Sequence, residues 1–149
     1  MIDQLGTTDT LLFGRVTYEV MASYWPTPTA IENDPIVARK MNSISKIVFS
    51  RTLDRADWNN TRLVKEDLAG EIQALKQMPG KDLFIFGSSR LAASLAQMGL
   101  IDEYRIMVNP IVLGSGKPLL GGIKEKLPLK LINSMTFHNG NILLYYKPA

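Results

Sequence analysis

Three short apolar stretches of this sequence each end in small or hydroxyl residues with an arginine beside them. In chain order the junctions are Gly14-Arg15, Ser50-Arg51 and Gly87-Ser88-Ser89-Arg90. Main-chain N–H groups in tight turns, hydroxyl donors and the paired N–H groups of a guanidinium all bind phosphate oxygens. The pattern therefore indicates a site for a phosphorylated small molecule. The alternative is three ordinary strand–helix connections, with serine as a helix cap and solvated arginines.

The third junction lies between a predicted strand and a predicted helix. Leu83 to Phe86 is apolar without alternation, as expected of a strand buried on both faces of a parallel sheet. The following apolar residues recur at the spacing of one helix face, and Gly99 is predicted to end that helix. Open α/β sheets bind ligands at the carboxyl ends of their strands, so we expect all three junctions along one sheet edge.

Strands and helices alternate through the first two thirds of the chain. One helix is predicted after Arg15, and its buried face is predicted to carry Thr17, Val20, Met21 and Tyr24. Further helices are predicted from Asp34-Pro35 and over Glu66–Met78, whereas the stretch around Pro26 and Pro28 is predicted to be a loop. Met1 to Thr8 carries no signal for the start of an element.

The last third of the chain changes character. Strands are predicted over Tyr104–Val108, Leu129–Phe137 and Asn141–Tyr146, and Asn139-Gly140 supplies the positive φ of a hairpin turn between the last two. The whole pattern predicts an α/β fold in a single domain over residues 1–149. Its sheet is expected to be mixed and mainly parallel, flanked by helices, with a C-terminal antiparallel hairpin.

Composition excludes several classes of function. The 149 residues are 46% hydrophobic and 21% charged, which is typical of a globular protein. Because there is no cysteine and one histidine, we expect no disulfide, no thiolate chemistry and no metal site. The net charge of +3 is scattered, which argues against nucleic-acid binding, and no leader or membrane span is visible, which predicts a cytoplasmic protein.

A glycine-rich segment, Gly114-Ser-Gly-Lys-Pro118, superficially resembles a phosphate-binding P-loop. The position that needs the first glycine of that motif is Ile111, and Pro118 stands where a serine or threonine must follow the lysine. The segment is therefore predicted to be a rigid turn, or alternatively the rim of a substrate pocket.

Taken together, three motifs resemble the dihydrofolate-reductase-like superfamily and, within it, the riboflavin-biosynthesis reductase domain in its stand-alone bacterial form. They are Leu11-Leu-Phe-Gly-Arg-Val-Thr-Tyr-Glu19, Phe86-Gly-Ser-Ser-Arg-Leu91 and Asn109-Pro-Ile-Val-Leu-Gly-Ser-Gly-Lys-Pro-Leu119, with Ser50-Arg51 between the first two. The likeness runs from about Thr10 to the C-terminus. It implies a three-layer α/β/α fold that binds NADPH.

The resemblance also implies roles for individual residues. Gly14, Arg15 and Thr17 would face the cofactor phosphates, Ser50 would hold the adenosine end, and Arg51 would bind a 2′-phosphate. The pyrophosphate would lie on a turn comprising Gly87, Ser88, Ser89, Arg90 and Leu91. Family members often have a second glycine where Ser88 stands, sometimes with a cis peptide bond before it. No catalytic residue of this chain is implied.

The implied activity is hydride transfer from NADPH to a pterin-, pyrimidine- or ribosylamino-pyrimidine-like small molecule, as in riboflavin biosynthesis or folate reduction. Only thirteen residues precede Gly14, too few for the family's first strand and the helix after it. We therefore expect the fold to lack that strand, because the chain starts late or because another subunit fills the gap. This departure keeps open an alternative, a non-catalytic nucleotide-binding or assembly protein, or a scaffold without ligand. A homodimer is expected from the terminal hairpin and the incompletely covered sheet.

Overall fold

A computed structural model describes residues 6–149 of the chain. Of the segment predicted to be irregular, Met1 to Thr8, residues 1–5 lie outside the described residues. Within the described range, no helix is long and apolar enough to cross a bilayer. The chain divides into two compact units, and the boundary between them along the sequence follows Ala92. The elements in chain order are β1 (Thr8–Gly14), α1 (Arg15–Tyr24), α2 (Pro28–Asn33), α3 (Pro35–Ser43), β2 (Ser45–Phe49), β3 (Thr61–Val64), α4 (Leu68–Gln77), β4 (Asp82–Gly87), α5 (Ser89–Gln97), β5 (Tyr104–Val108), β6 (Leu129–Thr136) and β7 (Ile142–Pro148).

The first unit contains a four-stranded parallel sheet. The strand order is β3-β2-β1-β4, and every neighbouring pair is parallel. Successive strands that run parallel need a crossover connection, and helices lie in the connections from β1 to β2 and from β3 to β4. The α/β fold with a mainly parallel sheet, predicted from the alternation of strands and helices, is confirmed.

The core of this unit is centred on β1. Leu11 and Phe13 are fully buried, and Val48 of β2 and Met41 of α3 pack in the same cluster. The Phe13 ring lies 6.0 Å from that of Trp58, a separation at which aromatic pairs interact favourably. The short apolar stretch that precedes the Gly14-Arg15 junction is therefore the centre of the core.

The predicted buried face of α1 is wrong in two of its members. Val20 is 60% exposed and Tyr24 is 41% exposed, whereas Tyr18 is buried. The Tyr18 hydroxyl accepts a hydrogen bond from the main-chain N–H of Trp58 at 3.2 Å. The face that α1 buries is thus set by a contact with a residue 40 positions further along the chain. The apolar spacing within the helix gives no sign of that contact.

A second difference concerns the segment predicted to be a loop. Residues Pro28–Asn33 form the short helix α2, in which Pro28 takes the first helical position and the Thr27 hydroxyl accepts from the Ala30 N–H. The next helix, α3, begins as predicted, because the Asp34 carboxylate accepts from the Val37 N–H ahead of Pro35.

The second unit contains the three antiparallel strands β5, β6 and β7, with β7 in the middle. The predicted hairpin between β6 and β7 is confirmed, and Gly140 in its turn has φ of +90°. The segment from Leu113 to Pro118 contains no regular element and is exposed. The single domain predicted over residues 1–149 stays a prediction.

Candidate cofactor site

The three predicted junctions lie side by side at one edge of the parallel sheet. Gly14 is paired with Phe49, the residue before Ser50, and Phe13 is paired with Gly87. Because β2, β1 and β4 run in the same direction, their carboxyl ends meet at the same edge. The order along that edge is Ser50-Arg51, then Gly14-Arg15, then Gly87-Ser88.

The middle and last of these turns touch each other where both have a glycine. A Cβ atom on Gly14 would lie 2.8 Å from Ser88 Oγ, and one on Gly87 would lie 2.8 Å from Thr17 Oγ1. Gly87 has φ of +137°, a conformation that side-chain-bearing residues rarely adopt, and the Gly87–Ser88 peptide bond is cis. Each glycine therefore packs directly against a side-chain hydroxyl of the other junction.

Two helices begin at this edge, and the first of them differs from the other helices in its cap. Helices α2, α3 and α4 have Thr27, Asp34 and Asp67 as N-caps, each accepting from a main-chain N–H of the first turn. Helix α1 has Gly14 as N-cap and therefore no side-chain cap. The first main-chain N–H groups of α1 point toward the sheet edge, and the cap residue offers them no side-chain acceptor. A helix N-terminus of this kind suits an anionic ligand.

Helix α5 begins beside it. The Ser88 hydroxyl accepts from the Leu91 N–H at 3.4 Å, so Ser88 acts as an N-cap, as the alternative interpretation of this junction predicted. Ser89 and Arg90 in the first turn are exposed, whereas the Leu91 side chain is 7% exposed and belongs to the core. Leu91 could therefore contact a ligand at this sheet edge through its main chain only.

Ser50 organises the turn that carries Arg51. Its hydroxyl accepts from the N–H groups of Thr52 and Leu53 at 3.2 and 3.1 Å, and its own N–H donates to the carbonyl of Val64 on β3. Local serine–backbone bonds of this kind fix a turn. Arg51 therefore projects from an ordered turn, and it is exposed.

The other predicted arginine at the edge is partly engaged by the protein itself. Arg15 Nη1 donates to Glu19 Oε2 at 3.0 Å, one helical turn along α1, and both side chains are nearly half exposed. Exposed pairs of this geometry contribute little to stability. The guanidinium can therefore exchange Glu19 for a phosphate oxygen at small cost.

One further cation stands at this edge that sequence reasoning missed. Lys65 directly follows β3, whose last residue Val64 is paired with Phe49, and it is exposed. Arg62-Leu-Val64 indicates a short strand that ends just before Lys65, but nothing in the sequence pattern shows that this strand pairs with β2. Arg15, Arg51 and Lys65 thus follow three consecutive strands at one edge.

The buried lysine of this unit lies at the opposite end of β2 and belongs to the core. Lys46 is 1% exposed, and its Nζ donates to the carbonyls of Met41 and Ile44, both at 2.8 Å, at the end of α3. Burial lowers the pKa of Lys46 from 10.5 to about 8. The same Nζ lies 4.4 Å from the centre of the Trp58 ring.

Comparison with known proteins gives a consistent set of relatives. The sequence model of the RibD C-terminal domain matches residues 2–143. The uncharacterized protein YyaP of Bacillus subtilis (strain 168) is 33% identical over 144 residues, which cover 97% of this chain and 76% of YyaP.

Solved structures share the fold. A Shewanella sp. PV-4 protein provisionally assigned to riboflavin biosynthesis superposes with a TM-score of 0.77 at 24% identity, over 100% of this chain and 78% of its own. A pyrimidine reductase-like protein from Corynebacterium diphtheriae superposes with a TM-score of 0.67 at 17% identity, over 99% of this chain and 79% of its own. At these identities the likeness shows the fold, which is the one that the sequence motifs implied.

Proposed function

Because the chain belongs to the RibD C-terminal domain family, we propose that it is an NADPH-dependent reductase acting on a pterin-, pyrimidine- or ribosylamino-pyrimidine-like small molecule. The observation that carries the proposal is the alignment of four parallel strand ends at one sheet edge, with two helix N-termini and the cations Arg15, Arg51 and Lys65. NADPH, when bound, supplies the hydride from its nicotinamide ring.

The residues at this edge fit a dinucleotide with an additional phosphate. Gly14 packs against Ser88, so the two turns lie side by side, and main-chain N–H groups and hydroxyls of such adjacent turns can bind a pyrophosphate together. The uncapped N-terminus of α1 and the Arg15 guanidinium both favour negative charge there.

The 2′-phosphate is assigned to the outer side of the edge. Ser50 holds the turn, Arg51 projects from it, and Lys65 follows the neighbouring strand. A guanidinium binds phosphate oxygens in pairs, whereas NADH offers a neutral ribose hydroxyl at the same point. We therefore assign the choice of NADPH over NADH to Arg51, with Lys65 in support.

The experiment is a calorimetric titration of the protein with NADPH and with NADH. Charge-assisted hydrogen bonds contribute about 1.5–3 kcal/mol, so Arg51→Ala is expected to weaken NADPH binding by roughly tenfold to a hundredfold and to leave NADH binding unchanged. Arg55→Ala is the matched control, because Arg55 is 82% exposed and pairs with Asp57 nearby in the same connection. Equal affinity of the wild-type protein for both cofactors contradicts the assignment of Arg51.

Catalysis is tested separately from binding. We expect NADPH oxidation, followed by the loss of nicotinamide absorbance, with at least one member of a panel of pterins and pyrimidines. Tight NADPH binding without oxidation by any of them would favour a non-catalytic nucleotide-binding protein. No thermal shift with either cofactor would contradict both functions.

A further inference from the structure

The two arginines proposed to bind the cofactor phosphates are close along the chain to residues that meet in one buried cluster. Tyr18 follows Arg15 within the first turn of α1, and Leu53 follows Arg51 in the connection between β2 and β3. Tyr18 belongs to the core cluster of the first unit, and Leu53 packs against that cluster. The two segments that carry the arginines are therefore held against a common support.

The connection that carries Arg51 has no regular structure of its own. It runs from Arg51 to Asn60, all of which the structure describes, and Trp58 is its only buried residue. A segment of this kind keeps a defined position only where side chains and hydrogen bonds fix it. The position of Arg51 therefore depends on the Ser50 turn before it and on the anchoring of the residues that follow it.

Trp58 anchors this connection to two different helices. Its indole Nε1 donates to Asn42 Oδ1 of α3 at 2.8 Å, and its main-chain N–H donates to the hydroxyl of Tyr18 on α1 at 3.2 Å. The rings of Tyr18 and Trp58 lie 6.3 Å apart, a separation at which aromatic pairs attract each other. Through the Tyr18 hydroxyl, α1 is thus bonded directly to the connection that carries Arg51.

The first turn of α1 is also held by the neighbouring strand end. Gly14 packs against Ser88, and Thr17 packs against Gly87 at the end of β4. Removal of the Tyr18 hydroxyl leaves these contacts in place, so we expect it to loosen the connection more than the helix. The buried N–H of Trp58 would lose its acceptor, which favours a rearrangement of the chain around it.

We propose that Tyr18 is a positioning residue for cofactor selection, which sets the distance between the Arg51 guanidinium and the turns that bind the pyrophosphate. The inference rests on the proposed function, in which Arg51 binds the 2′-phosphate of NADPH. Both phosphate groups belong to one molecule, and a binding group must be held to within about 0.5 Å of its productive position. A connection that is fixed beforehand also avoids the entropic cost of ordering Arg51 when the cofactor binds.

The test is calorimetric titration of Tyr18→Phe with NADPH and with NADH, beside the wild-type protein. The phenylalanine keeps the ring in the core and removes only the hydroxyl. We expect the affinity for NADPH to fall roughly threefold to tenfold, less than for Arg51→Ala because the guanidinium remains, and the affinity for NADH to stay unchanged. Tyr24→Phe is the matched control on the same helix, because Tyr24 is 41% exposed, and it should leave both affinities unchanged.

A double-mutant cycle separates the positioning of Arg51 from a general loss of structure. If Tyr18 acts through Arg51, Tyr18→Phe has no further effect on NADPH affinity in a protein that already carries Arg51→Ala. Phosphorus NMR of bound NADPH gives a second readout. Tyr18→Phe is expected to move the 2′-phosphate resonance toward its position in free NADPH and to leave the pyrophosphate resonances in place, whereas a global change of the fold would move all of them.

The outcomes distinguish this inference from the proposed function. A wild-type protein that binds NADPH and NADH equally contradicts the assignment of Arg51 itself and overturns both. A preference for NADPH that Tyr18→Phe leaves intact, or an equal loss of affinity for the two cofactors, overturns only the role of Tyr18. So does a loss of NADPH affinity that persists at full size when Tyr18→Phe is combined with Arg51→Ala.

Discussion

The buried Lys46 makes the stability of this protein depend on pH in a direction that can be worked out beforehand. Burial lowers the pKa of Lys46 from 10.5 to about 8, so the unfolded chain holds a proton on this amine more tightly than the folded protein does. Below pH 8 Lys46 is charged in both the folded and the unfolded state, and the folded protein is destabilised by the burial of that charge. Between pH 8 and 10.5 the unfolded state binds more protons, and stability therefore rises with pH.

The size of the effect follows from the shift. One pKa unit corresponds to about 1.4 kcal/mol, so the shift of the Lys46 pKa amounts to about 3 kcal/mol in total. Integrating between pH 7 and 9.5 gives a gain of roughly 2 kcal/mol in the free energy of unfolding from this group. A neutral amine keeps two N–H donors, enough for the 2.8 Å bonds to the carbonyls of Met41 and Ile44.

The assay is urea unfolding of the wild-type protein and Lys46→Met at several pH values. Contributions from other groups are common to the two proteins and cancel in the difference between them. At pH 7 the variant is expected to be about 2 kcal/mol less stable, because the methionine leaves carbonyls at the end of α3 without their donor. The difference should grow by roughly a further 2 kcal/mol at pH 9.5.

The control is Lys81→Met, which makes the same substitution at an exposed lysine. The reasoning is refuted if the difference between wild type and Lys46→Met stays constant or shrinks as pH rises. That result would mean that the carbonyls of α3 and the Trp58 ring hold the charge on Lys46 as firmly as water does.

Three further substitutions test how the fold supports the sheet edge. Gly87→Ala is expected to lower the free energy of unfolding by about 2 kcal/mol or more, because Gly87 has a positive φ and the new Cβ would clash with Thr17. Gly116→Ala is the control, because no atom lies near that position and its thermal unfolding should be unchanged. Trp58→Phe loses the 2.8 Å hydrogen bond from Nε1 to Asn42 Oδ1, and in urea unfolding it is expected to cost about 1–3 kcal/mol. Trp25→Phe should cost less, because the Trp25 Nε1 donates to the weaker acceptor Met21 Sδ. Asp67→Ala removes the cap of α4 and should cost about 1 kcal/mol, while Asp67→Asn, which tolerates the observed φ of +54°, should cost much less; equal losses would contradict the capping role.

Features set by local chemistry could be predicted from the sequence. The cap and proline at Asp34-Pro35 and the Asn139-Gly140 hairpin act within a few residues, so their sequence pattern contains what determines them. The same holds for the strand ends with their turns, and the sheet order confirms the expected adjacency of the three junctions. The binding roles of their residues stay predictions.

Features set by distant contacts could not be predicted in this way. The orientation of α1 depends on the bond between Tyr18 and the main chain of Trp58, and the end of α3 depends on Lys46, which follows it. The position of Lys65 beside Arg51 depends on β3 lying next to β2, a pairing between strands separated by a connection without regular structure. Each of these contacts needs the assembled sheet before it can be recognised.

The contact between Gly14 and Ser88 shows how this chain accommodates a serine at a position where the motif resemblance implies that glycine is common. Gly14 has an ordinary φ of −78°, so its backbone conformation does not require glycine. What requires it is space, since the Ser88 hydroxyl lies 2.8 Å from the position that a Cβ atom on Gly14 would take. That hydroxyl in turn accepts from the Leu91 N–H and caps α5. Gly14 and Ser88 therefore depend on each other, because the absence of a side chain at Gly14 leaves room for the Ser88 hydroxyl that caps α5.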